Sequence, residues 1–92
     1  EQGKMNHIGC AHGDKTGIIM NVYSNKPAVQ LYIGNFLNGQ DGKNGSKLNK
    51  RNAFCLETQY YPDSPNHPEF PSCVLRPSEK YHFTTIYNFS HE

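Results

Sequence analysis

No stretch of this chain approaches the roughly 20 consecutive apolar residues that cross a bilayer, and its first residues carry no apolar core of the signal-peptide kind. Charge of one sign is missing too. Nine basic and eight acidic residues leave a net charge of +1 with the signs mixed along the chain, which gives no footprint for nucleic acid or an anionic membrane surface. The three cysteines, Cys10, Cys55 and Cys73, cannot all pair with one another, whereas a small secreted domain stapled by disulfides shows an even set. Reduced thiols in a cytoplasmic protein are the simpler expectation. Asn44-Gly45-Ser46 and Asn88-Phe89-Ser90 fit the glycosylation acceptor pattern, but that tripeptide is common by chance and matters only in the secretory route.

Apolar content is low at 35%, and much of the rest is Asn, Gly, Ser and Pro, which favour turns over element interiors. Helical periodicity is absent throughout, so short strands joined by substantial loops are expected. Ile18, Met20 and Val22 share one face of an extended segment ending at Ser24, and Ile19, Asn21 and Tyr23 the other. Asn25-Lys26-Pro27-Ala28 reads as a turn. In the next strand Val29, Leu31 and Ile33 point one way and Gln30 and Tyr32 the other, with Gly34 ending the run. The stretch 38–52 holds three glycines, four asparagines and four Lys or Arg, and reads as an exposed loop.

The segment Ala53 to Gln59 places Phe54, Leu56 and Thr58 on one face and Ala53, Cys55 and Glu57 on the other. A carboxylate within such a strand costs desolvation energy unless it is paired or hydrogen-bonded, so Glu57 asks for a reason. By chemistry alone a structural carboxylate, tied to a backbone N–H or a Lys or Arg, is expected slightly ahead of a functional one. A proline-punctuated loop from Pro62 to Pro71 follows, in which Asp63, Asn66 and His67 are expected to bond to the backbone. A turn at Pro77-Ser78-Glu79-Lys80 leads to a final strand from Tyr81 to Phe89, whose stripe Tyr81, Phe83, Thr85, Tyr87 and Phe89 reads as core. His7, Cys10 and His12, with His67 or His91, would offer zinc ligands, but the spacing lacks a standard pair and no metal site is expected.

Several of these segments, in order, resemble the C-terminal part of the aldose 1-epimerase (galactose mutarotase) family. They are Gly17 to Tyr23, Val29 to Leu37, Phe54 to Gln59, Pro62-Asp63, Asn66-His67-Pro68, Phe70-Pro71-Ser72, Leu75-Arg76-Pro77 with Glu79 and Tyr81, and Thr85 to Phe89, covering about four fifths of the chain. The resemblance implies an all-β fold, an antiparallel β-sandwich of the galactose mutarotase type, with residues 1–92 as the C-terminal segment of a single domain. It implies interconversion of the α and β anomers of free hexoses such as galactose and glucose, with no metal or organic cofactor. Glu57 takes the family's base position and Gln30 that of a glutamine that contacts the sugar; both lie on the non-aliphatic faces of their strands. A non-catalytic carbohydrate-binding or regulatory module is the alternative, because the family's acid, a histidine far upstream of the glutamate, has no counterpart in this chain. Asn6-His7 falls beyond the family's Asp-His motif, in the strand that follows it. Two departures stand out: Ser64 where the family tends to have alanine, an exchange expected to matter little, and Ser78 where it usually has glycine. If that turn requires positive φ, Ser78 costs about 1 kcal/mol.

Overall fold

The computed structural model describes residues 3–92 and is all-β, with every strand pairing antiparallel. The strands are β1 (Asn6–His12), β2 (Ile18–Ser24), β3 (Ala28–Tyr32), β4 (Gln40–Asp41), β5 (Lys47–Leu48), β6 (Cys55–Gln59) and β7 (Thr85–His91). The only helical turns among the described residues are short 3-10 pieces at Lys43–Gly45 and Ser64–Asn66, so no helix is long and apolar enough to cross a membrane. Cys10, Cys55 and Cys73 are all free.

Strand β2 is the centre of a three-stranded sheet in the order β1-β2-β7. Its alternation fixes the faces: Ile18, Met20, Val22 and Ser24 stand opposite His91, Phe89, Tyr87 and Thr85 of β7. Having a neighbour on each side, β2 supplies Val22, the only buried apolar side chain among the described residues, and the buried Ser24. A register shift between His7 and Gly9 marks a bulge that makes Ile8 the extra residue of β1.

At Asn25–Pro27 the chain leaves this sheet for a second layer, the hairpin of β3 and β6. The crossing is held by side chains: Lys26 N–H donates to Ser24 Oγ at 3.1 Å, and Thr84 N–H donates to Asn25 Oδ1 at 2.9 Å. Leu56 and Thr58 of β6 face the first sheet. The hydroxyls of Thr58 and Thr85 are 2.7 Å apart, and the Tyr87 hydroxyl donates to the Leu56 carbonyl at 2.9 Å. Leu31 and Val29 lie opposite Leu56 and Thr58 and share that inward face.

The layers touch at these points without closing. A cleft of about 650 Å³ between them is lined by Ile18, Met20, Leu56, Glu57, Tyr87 and Phe89 among others. The Cα radius of gyration is 16.6 Å, against about 12 Å for a compact domain of this length. Likewise the accessible surface of 7304 Å² exceeds the roughly 5,400 Å² of a compact chain of this mass.

Three local expectations are revised. The final strand runs Thr85–His91, not from Tyr81, because its partner β2 ends at Ser24 opposite Thr85. Tyr81 and Phe83 turn instead to Lys26, whose Nζ sits 5.4 and 5.5 Å from their ring centres, and the rest of the stripe, Tyr87 and Phe89, stays exposed. The stretch 38–52 carries the small hairpin of β4 and β5, turned at Asn44 and Gly45 with φ of 56° and 76°. An Asn-Gly pair is the standard sequence signal for such a turn. In the proline-punctuated loop, Asp63 bonds to the side chains of Asn66 and His67 rather than to backbone, and the buried Ser64 hydroxyl donates to the Tyr61 carbonyl. The hydroxyl of Ser64 therefore has a task that alanine could not perform.

Candidate active site

The register of the β3–β6 hairpin places Gln30 directly opposite Glu57. Directly opposed residues have Cβ atoms about 5 Å apart and stand on one face of the ribbon, here the face turned away from the three-stranded sheet. Ala28 opposite Gln59 and Tyr32 opposite Cys55 complete that face. Apart from Ala28 its composition is amide, carboxylate, phenol and thiol, whereas the inward face is aliphatic except for Thr58. One period-two alternation in each strand separates the polar chemistry from the apolar packing.

Glu57 and Gln30 are both exposed. The Gln30 Nε2 donates to the Leu31 carbonyl at 3.3 Å. Glu57 makes no hydrogen bond or ion pair among the described residues, so the structural tie that would explain a carboxylate in this strand is missing. Such a carboxylate is able to accept a proton from a hydroxyl brought against it, and the amide opposite both donates and accepts. The cleft between the layers is lined by Glu57 as well, but not by Gln30. We assign that cleft to the gap between the layers, because Met20, Tyr87 and Phe89 of one and Leu56 of the other wall it, with Cys55 and Glu57 also on its lining.

Behind β6 the chain is braced. The Tyr60 ring meets Phe83 edge-on at 5.6 Å, and Tyr61 packs against Phe70 at 4.9 Å. His67 stacks on Phe70 at 4.7 Å, and its ring nitrogens lie 3.1 Å from carboxylate oxygens of Asp63 and Glu69. Of the residues weighed as zinc ligands, His7 Nε2 donates to Asn21 Oδ1 at 2.9 Å and His12 lies 2.9 Å from Glu92, while Cys10 is free. Among the described residues no group of three or more His, Cys, Asp or Glu is gathered to hold a metal ion.

The family model for aldose 1-epimerase matches residues 1–88. This chain belongs to the aldose 1-epimerase family. It is 49% identical over 80 residues to the galactose mutarotase of Homo sapiens, a match that covers 86% of this chain and 23% of that protein. To the galactose mutarotase of Mus musculus it is 51% identical over 76 residues, 82% of this chain and 22% of that protein. The aldose 1-epimerase of Escherichia coli K12 is 43% identical over 72 residues, 76% of this chain and 21% of that enzyme. The chain thus spans under a quarter of the length of the curated relatives it matches. Its antiparallel all-β architecture is that of the family's β-sandwich.

Proposed function

We propose that the polypeptide containing this chain is an aldose 1-epimerase acting on free hexoses such as galactose and glucose, with Glu57 as the base, Gln30 as a sugar contact, and residues 1–92 as the C-terminal segment of one sandwich domain. The observation that carries this reading is the juxtaposition of Gln30 with a Glu57 that has no partner among the described residues. Membership of the family and the names of the relatives support it.

In the reaction Glu57 takes the proton of the anomeric hydroxyl as that O–H electron pair forms the C1=O1 bond. The C1 to ring-oxygen bond breaks, its electrons pass to the ring oxygen, and an acid from the rest of the protein protonates that oxygen. Rotation about C1–C2 and reclosure on the opposite face of the carbonyl give the other anomer. Gln30, on the same face, holds a neighbouring hydroxyl and so restricts how the sugar lies over the carboxylate. Galactose and glucose are the hexoses we favour, and the cytoplasm the compartment, since three exposed free thiols suit reducing surroundings.

The test is polarimetry on the full-length polypeptide with freshly dissolved α-galactose. Glu57→Gln keeps the size and hydrogen-bonding shape but cannot take the proton, and is expected to lower kcat by about 10²- to 10⁴-fold. Full activity in Glu57→Gln would remove Glu57 from the reaction. Saturable galactose binding with no mutarotation by the wild-type polypeptide would favour a non-catalytic sugar-binding module.

A further inference from the structure

The polar face of the hairpin ends in an aromatic pair that the reaction above leaves unused. Tyr32 follows Gln30 by two residues on β3, so its ring stands on the same face as Gln30 and Glu57. The Phe36 ring stacks on it with centroids 6.3 Å apart and planes 15° from parallel. Phe36 is also 85% exposed, more than any other large apolar side chain among the described residues. A phenyl ring held in water forgoes the stabilisation it would gain by burial.

The segment that presents this ring is well built. Gly34, buried at φ +72°, accepts at its carbonyl from the N–H groups of Leu37 at 3.3 Å and Arg51 at 3.0 Å. A side chain there would place its Cβ 2.8 Å from the Ala53 carbonyl oxygen, so the tight approach requires glycine. Arg51 Nε donates to Asn35 Oδ1 at 3.1 Å, and the Phe36 N–H donates to the Tyr32 hydroxyl oxygen at 3.2 Å. The bond and the ring stack together fix the loop onto the end of the site face.

We propose that Tyr32 and Phe36 form the apolar wall of the hexose site, against which one C–H face of the sugar ring packs while Gln30 and Glu57 engage its hydroxyls. This rests on the epimerase reading above and deepens it by naming residues that set sugar affinity. A pyranose has a polar rim and apolar faces, and small-molecule sites of that kind combine aromatic walls with a few convergent polar groups. Two strand residues separate Tyr32 from Gln30 by about 7 Å, the scale of one sugar ring. Tyr32 positions and Phe36 binds; neither moves a proton.

The experiment uses the full-length polypeptide, with galactose KM and kcat measured for wild type, Phe36→Leu, Phe36→Tyr and Glu57→Gln, and a thermal melt for each. Phe36→Leu keeps apolar bulk but loses the flat ring, and should raise KM about tenfold while kcat stays within a factor of about three, the pattern of binding lost equally from ground and transition states. Phe36→Tyr should keep KM within about twofold of wild type. A wild-type KM in Phe36→Leu, with or without a lowered melting temperature, overturns the proposal and makes the ring a packing residue covered by protein. If Glu57→Gln is inactive in that same series, the epimerase reading survives the loss of the aromatic wall; if Glu57→Gln is fully active, it is the epimerase reading that fails.

Discussion

Strand β2 and the β3–β6 hairpin are written in the same alternating pattern, yet they meet different fates. Both have complete ladders on their paired sides and a row of aliphatic residues facing the gap between the layers. In β2, which has a strand on each side, Val22 is fully buried; in the hairpin, Leu31 remains 57% exposed. Alternation fixes which face a side chain takes, and the burial of that face depends on what else packs across it. The polar face of the hairpin needs no such cover, because the exposed Gln30 and Glu57 side chains are solvated by water.

The comparison can be broken most decisively at its two aliphatic ends. Val22→Ala in the full-length polypeptide should cost about 2–3 kcal/mol, since a fully buried side chain leaves both lost transfer energy and a cavity. If the remainder of the sandwich closes over the hairpin, Leu31→Ala should cost a similar amount by denaturant unfolding. A cost below about 1 kcal/mol for Leu31→Ala would mean that its inward face stays wet. On residues 1–92 alone the same two substitutions should differ as sharply as their burial does. That isolated piece, with open edges at β1, β3, β6 and β7 and apolar side chains in the cleft, should self-associate, so that a clean monomer with a sharp cooperative melt would count against this view.

A smaller effect tests how the layers are joined. Tyr87→Phe removes the hydroxyl that donates to the Leu56 carbonyl and leaves that carbonyl, on the free edge of the hairpin, without its inter-layer partner. The expected loss is about 1 kcal/mol in an unfolding titration of the full-length polypeptide. An unchanged midpoint would show that the hairpin is seated by apolar contact and the Thr58–Thr85 pair instead.

Much of this was legible because it is local. The faces of β2, β3 and β6 follow from period-two alternation, and from them the placement of Gln30 and Glu57 on the polar side of the hairpin. That the two stand exactly opposite one another was not legible, since register between strands separated by some 25 residues depends on the intervening loop. The small β4–β5 hairpin was missed although Asn44-Gly45 announces it, because the basic and polar composition around it reads as an exposed loop. The final strand was placed too early because Tyr81 and Phe83 continue the alternation, while the ladder ends where its partner ends. Phe36 gave no signal at all: an aromatic after Gly34-Asn35 lies outside any strand, and its meeting with Tyr32 is a property of the loop's path. Exposure of the aromatic stripe is likewise a tertiary outcome, set by what packs against it and not by alternation.

The finest test concerns one backbone angle. Arg76 to Glu79 form a turn closed by a hydrogen bond from the Glu79 N–H to the Arg76 carbonyl, and reinforced by the Arg76 N–H donating to the Glu79 carboxylate at 3.0 Å. Pro77 occupies its second position and Ser78 its third, at φ +73°. A turn with proline second and positive φ third is of type II, in which glycine is the favoured third residue. Ser78 thus meets the condition under which its departure from the family's glycine is costly. Ser78→Gly removes the steric penalty but loosens the unfolded chain, so the net gain should be about 0.5–1 kcal/mol. Ser78→Ala, which keeps a Cβ in the same region, should stay within about 0.5 kcal/mol of wild type. Equal stability of all three variants would show that the turn relaxes to negative φ in solution, and that the bond to the Glu79 side chain, rather than the turn type, holds this corner beneath the final strand.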